Sequence, residues 1–372
     1  MKLYIIAGEA SGDLHGGNLI KALKQRSEGL EIRAWGGDLM EAQGADLIKH
    51  YRDLAFMGFV EVAMNLRTIL RNMDFCKKDI LEWKPDAVVL IDYPGFNLRI
   101  AEFAHKAGIK VIYYISPQVW AWKRSRVHKI KRFVDQMLVI LPFEKEFYAE
   151  YDCDVIDVGH PLLDAIGKLD EISDKREDKT IALLPGSRLQ EVRKMLGVML
   201  TMVPRFPHHK FVIAAAPSLP RNALEDMVKN TKAEIQYGDT YGLLRTADAA
   251  LVTSGTATLE TALFGVPEVV CYKGGYVSYQ IARLLIKVDY ISLVNLIMKR
   301  EVVKELIQSE LNEKNLYSEL KKLLEDEAYR TRIRNDYSEL RTVLGGKGAS
   351  ERAADAMLKT LKGPDRAVPP QR

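Results

Sequence analysis

Cysteine is scarce here: Cys76, Cys153 and Cys271 are odd in number and far apart, so they supply neither a disulfide framework nor a Cys-x-x-Cys metal site. A reducing cytoplasm suits such usage. No apolar run approaches the roughly 18 residues of a membrane-spanning helix. Leu3–Ala7 runs into Gly8-Glu9-Ala10-Ser11-Gly12 without a cleavage-site pattern, so it reads as a first strand and not a secretory signal. A dominant charge sign is also missing. The 54 basic and 50 acidic side chains leave +4, too balanced to force a nucleic-acid partner. The turn after the first strand is neither Gly-x-Gly-x-x-Gly nor Gly-x-x-x-x-Gly-Lys-Ser/Thr, which disfavours a dinucleotide oxidoreductase and a P-loop NTPase. The absence of a repeat of about 20 to 50 residues argues against a solenoid.

What is present is ordinary globular composition, 47% hydrophobic and 28% charged over 372 residues, enough for two domains at about 100 to 200 residues each. Short apolar or β-branched runs alternate with helical patterns: Lys2–Ala7, Glu31–Trp35, Ala87–Ile91, Lys110–Ile115, Gln136–Ile140 and Val155–Val158. This is the rhythm of βαβ units around a parallel sheet. A polar stretch, Lys168–Lys179, carries nine charges in twelve residues and reads as a linker. A second series follows at Thr180–Leu184, Phe211–Ala216, Glu234–Gln236, Ala249–Thr253 and Glu268–Cys271. The pattern predicts two α/β domains, 1–167 and 168–345. From Glu301 to Leu361 the sequence reads as amphipathic helix, and 363–372 has the composition of a disordered end.

Ligands of open parallel sheets bind beyond the carboxyl ends of strands, so the residues that follow each strand are the candidates. After the first come Gly8, Glu9, Ser11, Gly12 and Asp13, whose glycines admit a ligand and whose Ser11 or Asp13 suits a helix N-cap; a tight turn with a cap fits them equally. Ile91-Asp92-Tyr93-Pro94-Gly95-Phe96-Asn97 puts a carboxylate at a strand end, where partial burial makes it a usable general base or where it simply caps a turn. In the second half, Leu184-Pro185-Gly186-Ser187-Arg188 and Ser254-Gly255-Thr256 expose N–H groups at the positive ends of helices, which suits a diphosphate. Arg188 adds a forked cation, and Glu260 suits a ribose diol. Two capped helix starts explain the same residues without a ligand.

Other signals are weaker. Asp152-Cys153-Asp154 resembles an Asp-x-Asp metal pair but lacks acidic neighbours, and His208-His209 lacks partner ligands. His160 suits either a structural hydrogen bond or a donor contact. Lys123–Arg132, with six Lys or Arg in ten residues, reads as a solvated helix face or a contact with phosphates or lipid. Phe56–Leu66, apolar at eight of eleven positions and followed by Arg67, Arg71, Lys77 and Lys78, suits a helix in a membrane interface or a fully internal one.

Taken in order, Ala7–Asp13, Met57-Gly58-Phe59-Val60-Glu61, Ile91-Asp92, Ser116-Pro117-Gln118-Val119-Trp120-Ala121-Trp122, Leu141-Pro142-Phe143-Glu144, Gly159-His160, Leu184–Arg188, Ser254–Ala257 with Glu260, and Asp289–Asn295 make the chain resemble the lipid-A-disaccharide synthase family along nearly its whole length. The resemblance implies a GT-B glycosyltransferase: two Rossmann-like domains facing a central cleft, 1–167 for the acceptor and lipid and 168–345 for the UDP-sugar, with a C-terminal helix at 346–362 returning to the first. It implies an inverting transfer of 2,3-diacylglucosamine from its UDP conjugate to 2,3-diacylglucosamine 1-phosphate, giving a β(1→6) disaccharide and UDP. Asp92 becomes the essential aspartate, with Glu9 and Ser11 beside it. Ser187, Arg188, Ser254, Gly255, Thr256, Glu260 and Asn295 become donor-side residues. No cofactor, metal or nucleic acid is implied. The expected location is the cytoplasmic face of the inner membrane, held peripherally through Val60, Val62, Leu66 and Ile69; the oligomeric state is left open. One departure stands out: Tyr93-Pro94-Gly95-Phe96-Asn97 replaces the family's Ala-Pro-Asp-Phe-Asn, which removes a second nearby acid and argues against a two-acid mechanism. Other classes consistent with the residues are another UDP-GlcNAc-using GT-B enzyme, such as an epimerase or a peptidoglycan glycosyltransferase, a non-catalytic membrane-associated binding protein, and a nucleic-acid binder resting on Lys123–Arg132, whose signature is salt-dependent binding.

Overall fold

The computed structural model describes residues 1–54, 66–121, 123–166, 179–275 and 289–363. Two compact units emerge, one from Met1–Ala165 together with the chain from Gly345 on, the other from Ile166–Leu344.

The first unit runs β1 (Lys2–Ala7), α1 (Ala10–Arg26), β2 (Glu31–Gly36), α2 (Asp38–Ala42), β3 (Asp46–His50), α3 (Leu66–Trp83), β4 (Ala87–Ile91), α4 (Pro94–Lys106), β5 (Lys110–Tyr114), α5 (Arg126–Phe133), β6 (Gln136–Val139), α6 (Glu144–Ala149), β7 (Ile156–Asp157) and α7 (Leu162–Ala165). Its seven strands lie in the order β3-β2-β1-β4-β5-β6-β7, and all the pairings are parallel. The central strands are apolar because helices cover both faces; Ala87–Ile91 is buried at every position.

The second unit runs β8 (Thr180–Leu184), α8 (Leu189–Leu200), β9 (Lys210–Ala215), α9 (Arg221–Val228), β10 (Glu234–Tyr237), α10 (Thr240–Thr246), β11 (Ala249–Thr253), α11 (Thr256–Leu263), β12 (Glu268–Tyr272), α12 (Leu293–Met298), β13 (Lys304–Ile307), α13 (Glu313–Glu325) and α14 (Glu327–Leu344). Its six-stranded sheet, in the order β10-β9-β8-β11-β12-β13, is parallel as well. Strand order reverses between β1 and β4 in one sheet and between β8 and β11 in the other. These are the switch points where open α/β sheets bind ligands.

A last helix, α15 (Ala349–Lys362), belongs to the first unit, where it packs on α1 and buries Ala349, Ala353, Ala354, Met357 and Leu358. Asp164 caps it, accepting from the backbone N–H groups of Gly348 (2.6 Å) and Ser350 (2.8 Å). Arg26 of α1 pairs with Glu351 (3.2 Å) and Asp355 (2.6 Å).

Two strands depart from the expected pattern. β3 carries Asp46, Lys49 and His50 and lies at a sheet edge, where polar residues meet solvent. β13, Lys-Glu-Leu-Ile, falls inside the stretch expected to be helical throughout. Its Glu305 is buried by internal hydrogen bonds that no local periodicity announces. The tail 364–372, expected to be disordered, lies outside the described residues.

Candidate functional site

Asp92 lies one position past β4 and Glu9 at the start of α1, at the switch point of the first sheet. The backbone there is unusual. Asp92 (φ 44°), Tyr93 (φ 50°) and Ile115 (φ 64°) are all left-handed without being glycine. Each such residue costs on the order of 1–3 kcal/mol, and Ile115 is also β-branched, so neighbouring bonds must hold the geometry. The Asp92 N–H reaches the carbonyls of Tyr114 (3.4 Å) and Ile115 (3.3 Å). The Asp92 carbonyl accepts from the Tyr113 hydroxyl (2.6 Å) and from Nδ2 of the fully buried Asn97 (2.8 Å). Asn97 Nδ2 also contacts the carbonyls of Ile91 (3.2 Å) and Ile6 (3.4 Å), which links the ends of β4 and β1.

This arrangement fixes where the Asp92 carboxyl points and sets its charge. Asp92 keeps accessible surface, so a ligand can reach it, while the surrounding protein mass leaves the carboxylate poorly solvated. That desolvation, reinforced by the negative charge of Glu9 and opposed by the Tyr93 N–H, raises its pKa to about 7. A carboxyl poised there exchanges protons readily at neutral pH.

Tyr93, the residue that departs from the pattern the resemblance implies, lies over the first loop. A Cβ added to Gly8 would come within 2.4 Å of its ring, so glycine is what lets the ring settle. The ring stacks on Phe96 at 5.6 Å, and its hydroxyl donates to the Leu54 carbonyl at 3.5 Å. Burial and the Glu9 charge raise the Tyr93 phenol above its ordinary range. Glu9 occupies the N-cap position of α1 without a side-chain capping bond, and Ser11 is half-buried in the first turn. Asp13, one of two candidates to cap its own helix, instead caps α2: it accepts from the N–H groups of Gly37 (2.8 Å), Leu39 (3.1 Å) and Met40 (3.0 Å).

The switch point of the second sheet gathers the other candidates. Gly186 (φ 108°) makes the turn after β8, the Ser187 carbonyl accepts from the Ser218 hydroxyl (2.8 Å), and Arg188 is the N-cap residue of α8. Its half-exposed guanidinium pairs with Glu191 (3.1 Å). Ser254, Gly255 and Thr256 lead from β11 into α11. Glu260, further along that helix, accepts from the Tyr241 hydroxyl (3.0 Å); burial raises its pKa and this bond opposes the rise.

Asn295 requires a correction. It is fully buried, and its amide is used internally: Nδ2 donates to the Val303 carbonyl (2.9 Å) and to Glu305 (2.9 Å), and Oδ1 accepts from Val302 (2.8 Å) and Val303 (3.0 Å). Glu305 also accepts from Ile291 N–H, Ser292 N–H and the Ser292 hydroxyl, at 2.8–2.9 Å, and the Ile291 carbonyl accepts from Ser254 (2.8 Å). Asn295 therefore braces the segment beside Ser254 and has no surface to offer a ligand.

The residues behind the weaker signals have internal partners or lie exposed. His160 is buried, and its Nδ1 accepts from Leu162 N–H (3.2 Å); burial lowers its pKa to about 3, so it is a neutral structural hydrogen bonder. Asp152 and Asp154 are exposed before the amino end of β7, and His208 is exposed before that of β9, away from the ligand ends of the sheets. No cluster able to hold a metal exists among the described residues. Lys129 pairs with Glu102 (3.4 Å) and Lys131 with the Tyr151 carbonyl (2.9 Å), while Val127, Ile130 and Phe133 face inward, as on a solvated helix. Glu144 is buried, accepts from Ile140 and Leu141 N–H at 3.1 and 2.9 Å, and has its pKa raised by burial to about 7.

Of the expected membrane residues, Val60 and Val62 lie outside the described residues, Leu66 begins α3, and Ile69 is half-buried. Among the described side chains of α3, the large apolar ones that are exposed are Leu70, Phe75 and Leu81. Sequence reasoning did not separate them from the stripe that buries Met73, Cys76 and Ile80. No helix among the described residues is long and apolar enough to cross a membrane.

Residues 3–360 match the lipid-A-disaccharide synthetase family. The chain belongs to that family. It is 43% identical to a lipid-A-disaccharide synthase of Syntrophus aciditrophicus (strain SB), with 98% of each chain covered. It is 38% identical to the synthase of Trichlorobacter lovleyi, over 97% of this chain and 98% of the relative. In fold, this family member is similar to a UDP-GlcNAc 2-epimerase from Neisseria meningitidis bound to UDP-GlcNAc (TM-score 0.70, 14% identity, covering 96% of this chain and 100% of that one). It is also similar to the calicheamicin glycosyltransferase CalG4 (TM-score 0.60, 16% identity, 99% of each). The architecture is thus that of GT-B enzymes.

Proposed function

We propose that this synthase-family enzyme transfers 2,3-diacylglucosamine from its UDP conjugate to the 6-hydroxyl of 2,3-diacylglucosamine 1-phosphate, forming the β(1→6) disaccharide 1-phosphate and releasing UDP. The observation that carries the reading is Asp92, a reachable carboxyl with its pKa raised to about 7 on a strained, hydrogen-bonded strand end. In its ionised form Asp92 takes the acceptor's hydroxyl proton as that oxygen bonds to the anomeric carbon from the face opposite UDP. The bond from that carbon to the diphosphate oxygen breaks, and configuration inverts. Charge developing on UDP is met by Arg188 and by the N–H groups where α11 begins at Thr256, with Glu260 on the ribose diol. Glu9, whose charge acts on Asp92, keeps the base from becoming too acidic.

Both substrates carry acyl chains, and α3 exposes Leu70, Phe75 and Leu81 beside Arg67, Arg71 and Lys78, a composition suited to peripheral contact with an anionic membrane. The purified enzyme, given defined acyl donor and acceptor in mixed micelles, should produce equimolar UDP and a disaccharide 1-phosphate whose mass is that of donor plus acceptor less UDP. UDP formation without disaccharide, or a free sugar epimer in its place, would overturn the assignment.

A further inference from the structure

The carboxyl edge of the second sheet holds a group that the mechanism leaves unused. Gln308 follows β13 directly, with a left-handed backbone (φ 55°) that its N–H fixes by donating to the Tyr272 carbonyl at 2.8 Å. A non-glycine residue in that conformation is held against a local energy cost, and here the effect is to turn the side chain back over the end of β12. The amide lies against Gly274: a Cβ built there would be 3.2 Å from the Tyr272 hydroxyl and 3.3 Å from Gln308 Nε2. Glycine therefore keeps open the space that the amide faces. Yet Gln308 Nε2 is buried and has no hydrogen-bond partner. At the end of β11, two strands away in the same sheet, the Thr253 hydroxyl is likewise buried without a partner. An orphaned buried amide N–H destabilises the fold, and a bound acceptor oxygen would recover that loss.

Position identifies the ligand. The end of β11 leads into the Ser254–Thr256 helix start assigned to the diphosphate, and β12 and β13 are the next strands outward. Strands are spaced about 4.8 Å apart, so the β13 end lies on the order of 10 Å from that of β11, about the reach of a sugar ring attached to a diphosphate. We propose that Gln308 donates through Nε2 to a hydroxyl or acyl carbonyl oxygen on the sugar of the UDP-sugar donor, and so distinguishes the donor from UDP. This rests on the UDP-sugar reading above.

Calorimetry of UDP and of UDP-2,3-diacylglucosamine in micelles tests it with Gln308→Asn, whose shorter amide tolerates the left-handed backbone, and Gln308→Gly, which relieves it. Both variants should keep the wild-type unfolding temperature or exceed it and should bind UDP as wild type does, while donor affinity falls about tenfold. The Asn and Gly variants retaining wild-type donor affinity would overturn the proposal. So would equal losses for UDP and donor, since these mean that Gln308 only shapes the fold. Wild-type protein that binds neither ligand would instead defeat the UDP-sugar reading, and this inference with it.

Discussion

A single carboxyl illustrates what one residue inherits from its surroundings. The place of Asp92 was legible because a buried strand followed by Asp-x-Pro can be read directly. Its left-handed backbone, and the Tyr113 and Asn97 bonds that hold it, were not, because they depend on neighbours from other strands. Activity that needs ionised Asp92 should rise with pH through about 7 in kcat/KM, and Asp92→Asn should lower kcat about 10²- to 10⁴-fold and flatten that limb. A variant with near wild-type turnover would remove Asp92 as the base. Glu9→Gln should shift the same limb to lower pH, because a neighbouring negative charge that favours protonation is gone. On the donor side, Arg188→Ala and Glu260→Ala should each weaken UDP binding by roughly 1.5–3 kcal/mol in calorimetry, the range for charge-assisted hydrogen bonds. EDTA should leave turnover unchanged. A strict magnesium requirement would count against a diphosphate neutralised by Arg188 and the helix start.

At the scale of elements, periodicity reveals strands buried on both faces and misses those whose stability is not local. β13 reads as helix because Lys-Glu-Leu-Ile has no β signature; its parallel pairing with β12, and the bonds converging on the buried Glu305, are long-range and leave no local trace. Beside it, Glu268 opens β12 fully buried, with neither carboxylate oxygen partnered. Burial, with the charge of Glu305 added, raises its pKa well above the ordinary range. The folded state therefore holds a proton that the unfolded chain releases above about pH 4.3. This group favours folding below that pH and disfavours it increasingly as pH rises towards the folded pKa. Glu268→Gln should thus gain stability over wild type with a slope of up to about 1.4 kcal/mol per pH unit in that window, measured by urea unfolding at several pH values. A pH-independent difference would mean that Glu268 is ionised in the fold. The capping of α15 by Asp164 is equally illegible, since the two lie far apart in sequence. Asp164→Ala should cost about 0.5–2 kcal/mol and speed amide exchange in the first turn of α15.

For the whole molecule, two Rossmann-like units were readable from two series of apolar runs separated by a charged stretch, because covered parallel strands write their burial into composition. Which surface meets other bodies was less readable. The apolar pattern that continues along α3 mixes side chains that the fold buries with others that it exposes, and among the described residues only the packing of Met73, Cys76 and Ile80 separates the two sets. Leu70 and Leu81 are eleven residues apart, about three helical turns, and so share a face; Arg67, Arg71 and Lys78 lie on the arc between them and Phe75, with Asp74 and Glu82 among them and Glu82 paired to Lys78 at 3.6 Å. Replacing Leu70, Phe75 and Leu81 together with Ser removes apolar surface from the exposed arc and leaves the buried face intact, so the unfolding temperature should barely move. Their insertion into an acyl boundary is worth up to about 1.5–3 kcal/mol per side chain, and the basic residues add attraction that salt screens. The triple variant should therefore lose at least tenfold in sedimentation with anionic vesicles while keeping turnover on micellar substrate. Wild-type binding to the same vesicles should weaken between low and physiological salt. A folded triple variant that sediments as fully as wild type would show that α3 is not the surface through which this enzyme reaches lipid.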